Sequence, residues 1–340
     1  MKKREFSALV LAALLALSGG TARAEGLEIE TVPVDAPANP ADPATDYGAV
    51  GHAFRIARSE TTIDQYVAFL NGVAGVPANE VIAGLWSKEM SKEKEDTGPL
   101  ILRSGAGSAA DPYRYTVAPS GKWGARAGSR PAPWVSWYDA ARFANWMHNG
   151  GSKGADTEDG AYTLTQFQTE GSVSRNPDAR WWIPSEDEWY KAAYFDPRKP
   201  GGPGYWSYPT RSNGPPRDEM TPDAHGEPSA RPLAPAANFN EIYKPLRRTK
   251  GGVLTPACAY ADEDMKYDSR GPWGTCDQAG SLWEWTEAVY AGRSNHIVRG
   301  GSWGGGLTPP MRTVRRDYGP MGTAGSFRDD DTGFRLATHP

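Results

Sequence analysis

Glu284 stands between two tryptophans, in the triplet Trp283-Glu284-Trp285. Read as a strand, the triplet puts both indoles on one face and the carboxylate on the other. A carboxylate in so aromatic a setting needs a positive partner, because burying an unpaired charge costs more than packing returns. Two partners suit it. One is a metal ion, with Asp277 supplying a second oxygen from a glycine-broken loop seven residues upstream; hard cations take spaced carboxylates together with backbone carbonyls. The other is an arginine such as Arg299 or Arg335, with Asp277 merely capping its loop. Spacing leaves both readings open. Trp303 and the double glycine Gly300-Gly301 complete the same stretch.

Two other groups bear on chemistry. Cys258 and Cys276 are the only cysteines. If exported they meet an oxidising compartment, where a disulfide would stabilise by roughly 3 kcal/mol on loop-entropy grounds. Two free buried thiols are the alternative. The five histidines, His52, His148, His225, His296 and His339, show no metal-ligand spacing.

Few regular elements are available to hold these residues. Thr61-Thr62 caps a helix over 63–73, where Tyr66, Phe69, Leu70 and Val73 share a face. Ser136 caps a second helix over 138–148, closed by Asn149-Gly150. Ser185 with Glu188 forms a capping box for a third, over 186–195. Residues 51–58, 113–117 and 181–184 read as short strands. Residues 25–47 read as an extended leader or linker, and 196–235 as a long Pro/Gly/Arg-rich loop of the kind that is usually functional. The class is α+β with an irregular core, pinned by 13 tryptophans.

The chain opens with Lys2-Lys3-Arg4, an apolar run over 7–18 and the small-x-small triplet Ala22-Arg23-Ala24. This is the pattern of a secretory signal peptide, residues 1–24, cut after Ala24, with the product secreted or periplasmic. No later apolar run is long enough to span a membrane. Removing the leader takes away Lys2, Lys3, Arg4, Arg23 and Glu5, so the formal charge moves from −4 to −7. That excludes nucleic acid as an expected partner.

Six segments in order resemble one family: 61–71 (TTIDQYVAFLN), 135–147 (VSWYDAARFANWM), 182–193 (WIPSEDEWYKAA), 280–286 (GSLWEWT), 299–303 (RGGSW) and 333–337 (GFRLA). Together they are similar to the formylglycine-generating-enzyme, or sulfatase-modifying-factor, family over residues 48–338. The resemblance implies a single C-type-lectin-like domain, loop-rich and calcium-stabilised. It implies a calcium held by Asp277, the carbonyls of Gly280 and Leu282, and Glu284. A second calcium would use Asn238 and Phe239, although no acid occurs near 249–251 to complete it. Family members that oxidise a sulfatase cysteine carry two copper-binding cysteines between the GGSW and GFR motifs. Here 304–332 holds none, and soft thiolates are what Cu(I) requires. Copper and the usual activity are therefore not expected. Arg312, Arg315, Arg316 and Asp317 fall on the segment that lines the family's substrate groove. Two functions follow: an oxidative modification of a peptide or small molecule by another route, or a non-catalytic module that displays loops 196–235 and 304–332 to a peptide, a small molecule or a glycan.

Overall fold

The structure is a computed structural model. It describes residues 21–24, 27–92, 100–119, 124–165, 168–169, 171–216, 235–238, 254–261, 268–290, 295–303, 317–318 and 326–340. Among the described residues four α-helices form, three of them where the sequence places caps. α1 spans Ile63–Val73 and α2 Glu80–Ala83. α3 spans Trp137–His148 and α4 Glu186–Tyr194. Thr62, Ser136 and Ser185 each make a complete capping box, with Gln65, Asp139 and Glu188 as reciprocal partners. Each box satisfies two of the amide groups that a helix start leaves without partners.

Two sheets carry the core. The larger runs β1 (Thr21–Ala24), β2 (Leu27–Val34), β3 (Phe54–Ala57), β13 (Ala337–Thr338), β6 (Trp181–Trp182), each antiparallel to the next. The smaller runs β11 (Asp317–Tyr318), β10 (His296–Arg299), β9 (Trp283–Val289), β12 (Thr332–Gly333), and only β12 pairs with β9 in parallel. Two hairpins complete the set: β4 (Ile101–Ser104) with β5 (Arg114–Val117), and β7 (Phe195–Asp196) with β8 (Gly204–Tyr205). This is α+β and loop-rich, as the sequence implies.

Residues 25–47 are more than a leader. Thr31 to Val34 pair with Ala57 to Phe54, and Val34 is fully buried. Thr31, Ile29 and Val34 are buried, and the segment forms an inner strand of the main sheet, between β1 and β3. The expected strand over 51–58 shortens to Phe54–Ala57, because Gly51 and His52 lie exposed before it.

Aromatic rings lock α1 and α3 together. Phe143 stacks on Tyr66, with ring centroids 6.4 Å apart, and meets Phe69 and Phe334 edge-on at 5.2 and 5.3 Å. Burying one such side chain stabilises by about 1.5–3 kcal/mol. Trp137 on α3 donates its indole N–H to the Thr286 carbonyl at 3.0 Å, and Trp285 donates to the Val135 carbonyl at 2.9 Å. α3 is thereby fastened to β9, the strand that carries Glu284.

Candidate functional site

The loop before β9 is forced into a left-handed path. Asp277, Gly280 and Ser281 have φ of 61°, 83° and 62°. At Gly280 a side chain is impossible: a Cβ would lie 2.1 Å from the Asn238 carbonyl oxygen. That close approach lets Asn238 accept from the Ser281 N–H at 2.7 Å and form a bridge with Gly280. Gly280 N–H donates to Gly300 and Trp303 N–H to Ser281, so the RGGSW turn is sewn to the same loop.

Glu284 is fully buried, and its partner is Arg335. Arg335 Nε and Nη2 reach the two carboxylate oxygens at 2.6 and 2.7 Å, a bidentate pair. Trp189 on α4 adds its indole N–H at 2.8 Å. Arg335 also donates to the carbonyls of Ala57, Arg58 and Cys276, which ties both sheets to the loop. Arg299, the other arginine the spacing allowed, pairs with Glu186 at 2.9 Å.

Asp277 is half-buried, with one oxygen accepting the Cys258 N–H at 2.6 Å. Burial pushes its carboxyl up to about 6, with Glu284 adding to the rise and Arg335 opposing it. A third acid, Glu60, is also buried here. One of its oxygens accepts the Leu282 N–H at 2.9 Å and the other has no hydrogen-bond partner. Burial raises its pKa well above the ordinary carboxylate range, and the charges of Asp277 and Glu284 add to that. Three carboxylates thus answer to one buried guanidinium.

This arrangement divides the expected calcium set. Glu284 gives its oxygens to Arg335 and Trp189. Asp277 does fit, and the orphaned oxygen of Glu60 is the kind of donor a hard cation takes. The spacing argument misses Glu60. It lies one residue before the Thr61-Thr62 helix entry, more than 200 positions from the loop it meets, and nothing local marks it. Asn238 sits against Gly280, so the two expected calcium sites are neighbours; Phe239 lies outside the described residues.

Arg312, Arg315 and Arg316 of the expected groove also lie outside the described residues. Asp317 opens β11, opposite Val298. Among the described residues, the acids in groups of three or more whose ligand atoms lie within 4.8 Å of one another are Asp329, Asp330 and Asp331. Ser302 donates to Asp331 at 2.7 Å, and the Trp303 indole donates to the Asp330 carbonyl at 3.1 Å. Cys258 and Cys276 are joined in a disulfide with Cα atoms 5.1 Å apart, which takes one of the two readings the sequence left open. Among the described residues no helix is long and apolar enough to cross a membrane.

Comparison with known proteins supplies the frame for these contacts. The family model described as "Sulfatase-modifying factor enzyme 1-like domain" matches residues 8–340. A comparison with curated protein sequences finds no match. Among solved structures, Treponema denticola variable protein 1 is similar at 17% identity, covering 94% of this chain and 99% of that one, with a TM-score of 0.49. CarF is similar at 19% identity, covering 92% and 98%, with a TM-score of 0.47. PvdO from Pseudomonas aeruginosa is similar at 16% identity, covering 95% and 98%, with a TM-score of 0.44.

Proposed function

The chain belongs to the sulfatase-modifying-factor family, and from that premise we propose that it is an exported binding module of the family rather than a thiol-dependent oxidase. One observation carries this reading. The chain has two cysteines, and both are consumed by the Cys258–Cys276 disulfide. A bridged sulfur is not a thiolate, and thiolates are the ligands that hold Cu(I) and carry its redox step. The charged leader, the apolar run over 7–18 and the Ala22-Arg23-Ala24 triplet support export, with β1 leaving together with the leader, and the disulfide suits an oxidising compartment.

Calcium enters the proposal in a restricted form. Asp277, with Glu60 and the carbonyls of Gly280 and Leu282, would hold the ion, and Arg335 keeps Glu284. A bound cation supplies charge compensation there, and by mass action it stabilises the fold. Chelator should lower the melting temperature, and Asp277→Asn should abolish that response. An unchanged melting curve in chelator removes calcium from the account.

The function itself is tested with a Cys-x-Pro-x-Arg sulfatase peptide. The expected outcome is no aldehyde by hydrazide labelling, with or without added copper. Aldehyde formation by the purified protein would overturn the binding-module reading.

A further inference from the structure

Removal of the leader changes one edge of the main sheet. β1 (Thr21–Ala24) is an edge strand of that sheet and lies wholly within residues 1–24. It runs antiparallel to β2, with Thr21 opposite Glu30, Ala22 opposite Ile29, Arg23 opposite Glu28 and Ala24 opposite Leu27. Cleavage after Ala24 takes this strand away and leaves Leu27 to Glu30 as an edge of the mature protein.

Neighbouring residues of a strand turn their amide and carbonyl groups to opposite sides. Arg58 N–H donates to the Glu30 carbonyl at 2.9 Å, so Glu30 faces β3. By alternation Leu27 and Ile29 face outward, where β1 lies. Thr31 and Pro33 face the same way, but there the edge is closed. Arg55 Nη2 donates to the Thr31 carbonyl at 2.8 Å, and Pro33 has no N–H to offer. The stretch 27–30 is also held in place without β1. Arg58 bonds the Glu30 carboxylate at 2.7 Å as well as its carbonyl, and Gln65 Nε2 donates to the Glu28 carbonyl at 3.3 Å.

The two faces of this edge differ. Ile29 is buried and Leu27 half-buried, whereas Glu28 and Glu30 are exposed. A second copy of this chain is a poor occupant. In the antiparallel registers centred on the stretch that keep the faces matched, Glu28 of one copy stands opposite Glu28 or Glu30 of the other, and like charges directly opposite destabilise. β1 meets the edge differently: alanines stand opposite Leu27 and Ile29, and a basic residue stands opposite Glu28.

We propose that the mature protein binds an extended basic segment of another polypeptide along β2, as an added strand in the place that β1 leaves. The proposal rests on the export reading and supplies a partner class for the binding module. Backbone bonds to Leu27 and Ile29 hold the segment, and basic residues opposite Glu28 and Glu30 select it.

The test is calorimetric titration of the mature protein, starting at Glu25, with three blocked octapeptides: alternating arginine–valine, alternating glutamate–valine, and the arginine–valine peptide N-methylated at its valines. Valine favours strands, and the methyl groups remove the amides that meet Leu27 and Ile29. Saturable binding of the arginine–valine peptide, weakening as salt rises, is expected, with the other two about tenfold weaker or more. The Leu27 and Ile29 amides should exchange hydrogen more slowly in the complex. Glu28 is exposed, so Glu28→Lys should fold, and it should weaken the arginine–valine peptide about tenfold. No saturable binding of that peptide would overturn the proposal. Equal binding of the N-methylated peptide, or an affinity that Glu28→Lys leaves unchanged, would do the same. An exported protein that still carries residues 21–24 would defeat the cleavage on which the proposal rests; cleaved protein that binds no peptide would defeat the added strand alone.

Discussion

Around Glu284, three carboxylates meet one buried guanidinium; around Asp268, two guanidiniums share one carboxylate. In the first cluster Glu60, Glu284 and Arg335 are buried and Asp277 half-buried, and the second lines an open cleft. The surroundings decide how the charges of each are screened. In the sealed centre water cannot screen the excess, so the acids hold protons more tightly, as Glu60 and Asp277 do. A charge imbalance in the core is a stability problem, whereas charges at a surface are screened by solvent.

The largest expected effect breaks the sealed side. Arg335→Met leaves Glu284 buried without its cation, at a cost of about 3–5 kcal/mol in urea unfolding. Adding Glu284→Gln should restore part of that loss, because the orphaned charge is gone. A double variant no more stable than Arg335→Met alone would show that Glu284 is not the partner that matters.

Next comes the disulfide, which fastens the Asp277 loop to the segment that holds Cys258. Cys258→Ser with Cys276→Ser should cost about 3 kcal/mol, read as a lower urea midpoint. An unchanged midpoint would mean that the bridge constrains nothing.

A third expectation concerns pH and a half-buried acid. Glu287 accepts from the Tyr162 hydroxyl at 2.7 Å and pairs with Arg175 at 3.2 Å. Burial pushes its carboxyl up to about 7, with Glu188 adding to the rise and Arg175 opposing it. Its folded value lies above its unfolded one, so its contribution is full at low pH and is lost as pH rises through 7. The wild-type melting temperature should fall by about 2–4 °C more between pH 5 and pH 8 than that of Glu287→Gln. Parallel curves for the two proteins would contradict this.

The smallest effect is at His296, buried and stacked on Trp137 at 3.8 Å; neither ring nitrogen makes a well-formed hydrogen bond, and the backbone of Thr286 and Glu287 offsets its burial only in part. Burial pushes it down to about 3, so it is neutral at ordinary pH. His296→Phe should be neutral or stabilising by up to about 1 kcal/mol. A clear loss of stability would mean that the ring nitrogens have partners after all.

What was legible in the sequence follows from range. The three long helices are written locally: cap residue, reciprocal partner and apolar spacing all fall within a few positions, as at Ser185 and Glu188. The order of the motifs identified the family, and the need for a positive partner at Glu284 was readable from its two indole neighbours. Which arginine answers it was not readable, because Arg299 and Arg335 offer the same chemistry and only the fold brings one of them in. Glu60 was invisible for the same reason. β2 was missed because its inward residues Ile29, Thr31 and Val34 are interrupted by Pro33 and carry little apolar weight. The sequence also marks 196–235 as a functional stretch without showing that Arg198 donates to the Pro272 carbonyl, 74 residues later.

The central claim is that this chain offers no thiolate. Mass spectrometry of the exported protein, alkylated under denaturing conditions without reductant, tests it most directly. The expected result is no alkylated cysteine before reduction and two after it. Two alkylated cysteines before reduction would contradict the account, because Cys258 and Cys276 would then be available to a soft metal and the oxidase reading would return.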